Sequence, residues 1–93
     1  MYKVLLYYYY AKIENVDEKV QAHKRFCQAH DILGRVYLTS EGINGTVSGL
    51  EANIETYKHY LETDPLFPGI MFKESTHPAH TFKKITIKNK NEL

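Results

Sequence analysis

Thiol chemistry is nearly missing from this chain. One cysteine, Cys27, among 93 residues excludes an intrachain disulfide and a cysteine-ligated zinc centre, and the usage fits a reducing cytoplasm. A charge excess is missing as well: twelve basic residues against eleven acidic ones leave a formal net charge of +1, too little for a bulk electrostatic pull on nucleic acid. Long apolar runs are absent. The opening MYKVLLYYYYA is short, rich in tyrosine and without small residues at a cleavage position, and nothing later approaches the roughly 20 apolar residues of a membrane span. An unsecreted cytoplasmic domain with no membrane partner is therefore expected. No glycine-rich phosphate loop follows the first apolar run, where Ala11-Lys12-Ile13-Glu14 stands. His77 and His80 are the closest histidine pair, without a carboxylate or third ligand at an evident spacing, so a solvated loop is the simpler expectation there. No metal site and no cofactor are expected.

What is present is enough for one small core: 43% of the residues are hydrophobic, and residues 1–93 read as a single domain without repeats or linkers. The chain is organised around GRVYLTSEGINGTVSG, from Gly34 to Gly49. Val36 and Leu38 alternate with Tyr37 and Thr39; past a turn, Ile43, Gly45 and Val47 share the inward parity while Asn44, Thr46 and Ser48 point away. Ser40-Glu41-Gly42 suits a three-residue hairpin loop with Gly42 at positive φ, and Asn44-Gly45 is a second turn signal two residues on.

Residues 3–10 read as a first, central strand with apolar side chains on both parities. Asn15 and Glu18 form a capping pattern before a helix whose stripe is Val16, Val20, His23, Phe26, Cys27 and His30, stopped by Gly34. Ser48 and Glu51 form a second capping pair, opening a helix with Leu50, Ile54, Tyr57 and Leu61 on one face. Asp64-Pro65 and Pro68-Gly69 end it, a fourth strand is expected over residues 69–76, and Ile85 and Ile87 alternate with Lys84, Thr86 and Lys88 in an edge-like fifth. The order predicts an α+β, ferredoxin-like βαββαβ sandwich: an antiparallel sheet with both helices on one face, plus an extra C-terminal strand.

Chemistry is sparse in this frame. Tyr7 to Tyr10 could supply base-stacking rings, but packing under helices and shielding of the sheet is the simpler account, and the strand around INGTVS has no aromatic residue. Cys27, on a helix stripe, reads as a small buried hydrophobe. Charge is uneven: residues 41–64 hold five acids and one base, and residues 73–93 hold five bases and two acids. Lys83, Lys84 and Lys88, joined by Lys73 if the fold brings it near and by Asn44 on the polar outward row, are the candidate phosphate contacts; edge lysines also simply discourage aggregation.

The string LTSEGINGTVSG, with KVLLYYYY before it and FKEST and HTFKKITIKNKNEL after it, resembles the N-terminal, acylphosphatase-like domain of the TrhO family of rhodanese-domain tRNA uridine hydroxylases. The resemblance covers essentially the whole chain. It implies that a rhodanese domain with the reactive cysteine follows Leu93, that residues 88–93 lead into it, that tRNA is a partner through the longer protein, and that no catalytic residue lies in this chain. Alternatives are an interaction domain that braces the rhodanese domain without touching RNA, and a stand-alone acylphosphatase-type enzyme. The latter is disfavoured because that family carries a glycine-rich loop with an arginine where Ala11 to Glu14 stand here.

Overall fold

In the computed structural model, which describes residues 1–89, the chain runs β1 (Tyr2–Tyr10), α1 (Val16–Ala29), β2 (Leu33–Thr39), β3 (Gly42–Leu50), α2 (Glu51–Glu62), β4 (Lys73–His77) and β5 (Ile85–Asn89). The end of the expected passage toward a following domain, residues 90–93, lies outside the described residues. The strands form one sheet in the order β4-β1-β3-β2-β5. The first four pair antiparallel, as the ferredoxin-like order predicts, but β5 runs parallel to β2, so the sheet is mixed rather than antiparallel. The reason is geometric. His77, the last residue of β4, pairs with Tyr2, at the end of the sheet where β2 begins, so a chain that crosses that end must rise in the direction of β2.

The alternation read in the hairpin sets the core. Val36, Leu38, Ile43 and Val47 are buried on one face together with Leu5 and Tyr7, beneath Val20 and Cys27 of α1 and Ile54, Tyr57 and Leu61 of α2. Each such aliphatic side chain removed from water contributes about 1.5–3 kcal/mol before the entropy of ordering is subtracted.

Several local expectations give way to tertiary contacts. Thr39 pairs with Gly42, so the hairpin loop is Ser40-Glu41 alone, closed by the Glu41 amide donating to Thr39 Oγ1 at 2.9 Å. Gly42 does adopt a positive φ, +148°, but as a paired strand residue. It lies so close to β1 that a Cβ would run into the Tyr9 carbonyl oxygen. Gly34 likewise does not stop α1, which ends at Ala29. It is a strand residue at φ +141° packed against the backbone of Thr46 and Val47.

Ser48 and Glu51 form no capping box. Strand β3 continues to Leu50, Ser48 is fully buried within it, and the Glu51 amide donates instead to the Met1 carbonyl at 3.1 Å. Leu50, at the N-cap of α2 and not on its buried stripe, is 42% exposed. Asn15 is the N-cap of α1, yet its amide reaches Glu18 Oε2 at 3.4 Å rather than a backbone group. The fourth strand begins only at Lys73, because residues 69–72 peel away from β1 while Ile70 stays buried in the core.

Candidate nucleic-acid interface

Residues opposite each other in register point to the same side of a sheet, so the pairing fixes what the helix-free face displays. Along β1 it carries Leu6, Tyr8 and Tyr10; on β3, Thr46 and Asn44 stand opposite Leu6 and Tyr8. On β2, Arg35 and Tyr37 lie opposite Thr46 and Asn44, and Thr86 and Lys88 of β5 flank these in turn. Lys73 of β4 stands opposite Leu6. Tyr8 and Tyr10 are 67% and 68% exposed, with ring centroids 6.0 Å apart and nearly edge to face. Every formally charged side chain at an outward strand position of this face, Arg35, Lys73 and Lys88, is basic.

Three glutamates cluster on the covered side. Glu51 and Glu55 of α2 gather with Glu74 around Lys3 and Lys58; Lys58 Nζ lies 2.7 Å from Glu74 Oε2 and Lys3 Nζ 3.3 Å from Glu74 Oε1. The Lys58 hydrogen bond in particular holds the Glu74 carboxyl below the usual range.

Of the residues singled out in the sequence, Asn44, Lys73 and Lys88 share this face, while Lys83 and Lys84 are exposed in the segment just before β5. Lys73 is not near the other lysines. It sits on β4, and β4 and β5 are opposite edges of the sheet, a separation that only the strand order could reveal. Lys73 and Asn44 meet instead at a groove of about 610 Å³, lined also by Leu6, Tyr8, Thr46 and Met71. The sequence reading missed Arg35 and gave the exposed tyrosines a shielding role. The parity of Arg35 with Tyr37 was the available signal.

Beneath the sheet, on the helix side, lies a buried polar chain. Tyr57 Oη is 2.7 Å from His23 Nε2 and in short contact with Tyr7 Oη. Donation from Tyr7 to Tyr57 and from Tyr57 to Nε2 of a neutral His23 gives both buried hydroxyl protons an acceptor. Burial pushes the His23 pKa down to about 4, against a small opposing pull from Asp64, and raises both tyrosines. Cys27 is fully buried, and burial pushes its thiol up to about 12, which suits a core residue rather than a nucleophile.

A serine, a histidine and an aspartate also align. Ser48 Oγ is 2.9 Å from His80 Nδ1, and His80 Nε2 is 3.3 Å from Asp31 Oδ2. Ser48 is fully buried, with the Tyr2 ring centroid 4.7 Å from that of the same imidazole, so the hydroxyl is not open to a substrate carbonyl. The cluster pins the crossing segment to the sheet, and His80 is thereby held rather than solvated. Among the described residues no three histidine, cysteine, aspartate or glutamate side chains are grouped to hold a metal, and no helix is long and apolar enough to cross a membrane.

The family model of the UPF0176 acylphosphatase-like domain matches residues 2–93. The tRNA uridine(34) hydroxylase of Shouchella clausii is 44% identical over 92 residues, 99% of this chain and 29% of that protein. The tRNA uridine(34) hydroxylase of Bacillus cytotoxicus is 42% identical over the same length, 28% of that protein. The chain thus spans under a third of these relatives. A bacterial light-regulated adenylyl cyclase superposes with a TM-score of 0.80 over 98% of this chain and 28% of that one at 15% identity, a likeness of fold alone. An acylphosphatase-like sheet order, a sequence match from residue 2 to the last residue and identities above 40% converge on one assignment: the chain belongs to the UPF0176 acylphosphatase-like domain family.

Proposed function

We propose that this chain is the N-terminal, non-catalytic domain of a cytoplasmic tRNA uridine(34) hydroxylase, followed by a rhodanese domain, and that it positions tRNA through its phosphates. The observation that carries the reading is the charge of the helix-free face: Arg35, Lys73 and Lys88 with no carboxylate at an outward strand position, in a protein whose net charge is only +1. Cations so placed hold a phosphate backbone in register without reading sequence. Lys83 and Lys84 extend the basic edge ahead of β5.

The test is tRNA binding by the full-length hydroxylase across a salt series. Reversing Arg35 and Lys88 to glutamate should weaken binding and flatten the salt dependence by about 0.7–0.9 in log–log slope for each phosphate no longer engaged. Unchanged affinity and slope would remove the phosphate-binding role. A second reading is favoured by Leu6 and Met71, 47% and 83% exposed on the same side: the domain braces the rhodanese domain. It predicts that Leu6→Glu and Met71→Glu lower the melting temperature of the full-length protein while tRNA affinity holds.

A further inference from the structure

We infer that the groove between Tyr8, Asn44 and Lys73 receives one unpaired nucleotide of the bound RNA, its base against the Tyr8 ring and its phosphate beside Lys73; this rests on the tRNA reading above and deepens it. The geometry of β4 creates the site. That strand accompanies β1 only from Tyr2 to Leu6, so beyond Leu6 the sheet edge is open, and the groove forms where residues 69–72 diverge. Its volume of about 610 Å³ lies within the range of small-ligand sites, about 300–1,000 Å³.

The lining matches the parts of a nucleotide one by one. A tyrosine ring, 67% exposed and backed by Tyr10, offers a flat π surface, and stacking on such a ring is tolerant of base identity. Asn44, exposed and directly across from Tyr8 in register, carries both an amide donor and a carbonyl acceptor toward a base edge. Lys73 supplies the cation at the opposite lip and forms no ion pair among the described residues. With Lys73 and no carboxylate in its lining, the groove complements the negative charge of a phosphate. A paired base cannot enter, because its flat face is already covered by its neighbours in the stack.

The experiment uses the full-length protein and two RNAs of equal length: a hairpin whose loop carries the fluorescent base 2-aminopurine, and a fully paired duplex. Tyr8→Ala should weaken hairpin binding roughly ten- to a hundredfold, abolish the quenching of 2-aminopurine and leave duplex binding unchanged. Tyr8→Phe, which keeps the ring, should restore both. Hairpin binding by Tyr8→Ala equal to wild type, while reversal of Arg35 and Lys88 still weakens it, overturns the stacking site and leaves the phosphate role standing. Equal losses on hairpin and duplex also overturn it. If the charge reversals and Tyr8→Ala all leave RNA binding intact but lower the melting temperature, the face belongs to a protein neighbour and both readings fall together.

Discussion

Acidification should weaken this fold through one buried ring. His23 is 4% exposed, accepts from or donates to Tyr57 at 2.7 Å, and has its pKa pushed from 6.5 down to about 4 by burial. Its folded value lies below its unfolded value, so the unfolded chain binds the proton first. The stabilisation is complete above pH 6.5 and is lost as pH falls from there through 4. Each pKa unit corresponds to about 1.4 kcal/mol, so the 2.5-unit interval gives a loss of about 3 kcal/mol, against a total of about 5–15 kcal/mol for a domain of this kind.

Urea unfolding followed by circular dichroism at steps from pH 7.5 to pH 4 measures it. At a slope of about 1.5 kcal/mol per molar urea, the His23 contribution lowers the midpoint by about 2 M. Carboxylates such as Glu74 also titrate at the low end, so the control is His23→Gln, whose amide oxygen can still accept from Tyr57 but does not titrate. The wild-type curve should fall toward the variant's as pH drops through this window. Parallel curves would refute the assignment of the effect to His23.

Further consequences follow from the same contacts. Tyr57→Phe strands the buried Tyr7 hydroxyl and His23 Nε2, and should cost about 1–3 kcal/mol in denaturant unfolding while leaving the secondary structure unchanged. Gly42→Ala should cost more than the ~1–2 kcal/mol of a disfavoured backbone conformation, because its Cβ also meets the Tyr9 carbonyl oxygen; thermal unfolding reads it directly. Cys27 should resist iodoacetamide at pH 8 in the folded chain and react at an ordinary thiol rate in urea, as mass spectrometry would show. Glu74→Gln removes a carboxylate shared by Lys3 and Lys58, but the cluster is partly solvated, so the loss should stay below ~1 kcal/mol and vanish in 1 M salt.

Much of the architecture could be read from local pattern. The alternation of Val36, Leu38, Ile43 and Val47 and the stripes Val20-His23-Cys27 and Ile54-Tyr57-Leu61 each have a period that only one type of element satisfies, and each is buried as its period requires. Capping was less legible. A serine three residues before a glutamate is the same string whether it opens a helix or, like Ser48, lies inside a strand and bonds a histidine from far along the chain. The candidate interface was half visible: Asn44 and Lys88 were recognisable by parity and Arg35 could have been through its parity with Tyr37, but that they share one face became legible only once β5 lay beside β2.

The residues by themselves determined two helices, the hairpin, the buried rows and the side of each strand on which a given side chain points, because these depend on neighbours within a few positions. Tertiary structure alone decided which edge each outer strand occupies. That choice put Lys73 and Lys88 at opposite edges of one sheet, brought Glu74 of β4 to Lys3 and Lys58 and left Tyr8 open beside Asn44. Strand order is set by where a chain crosses the end of a sheet, and no periodicity along the sequence encodes that crossing.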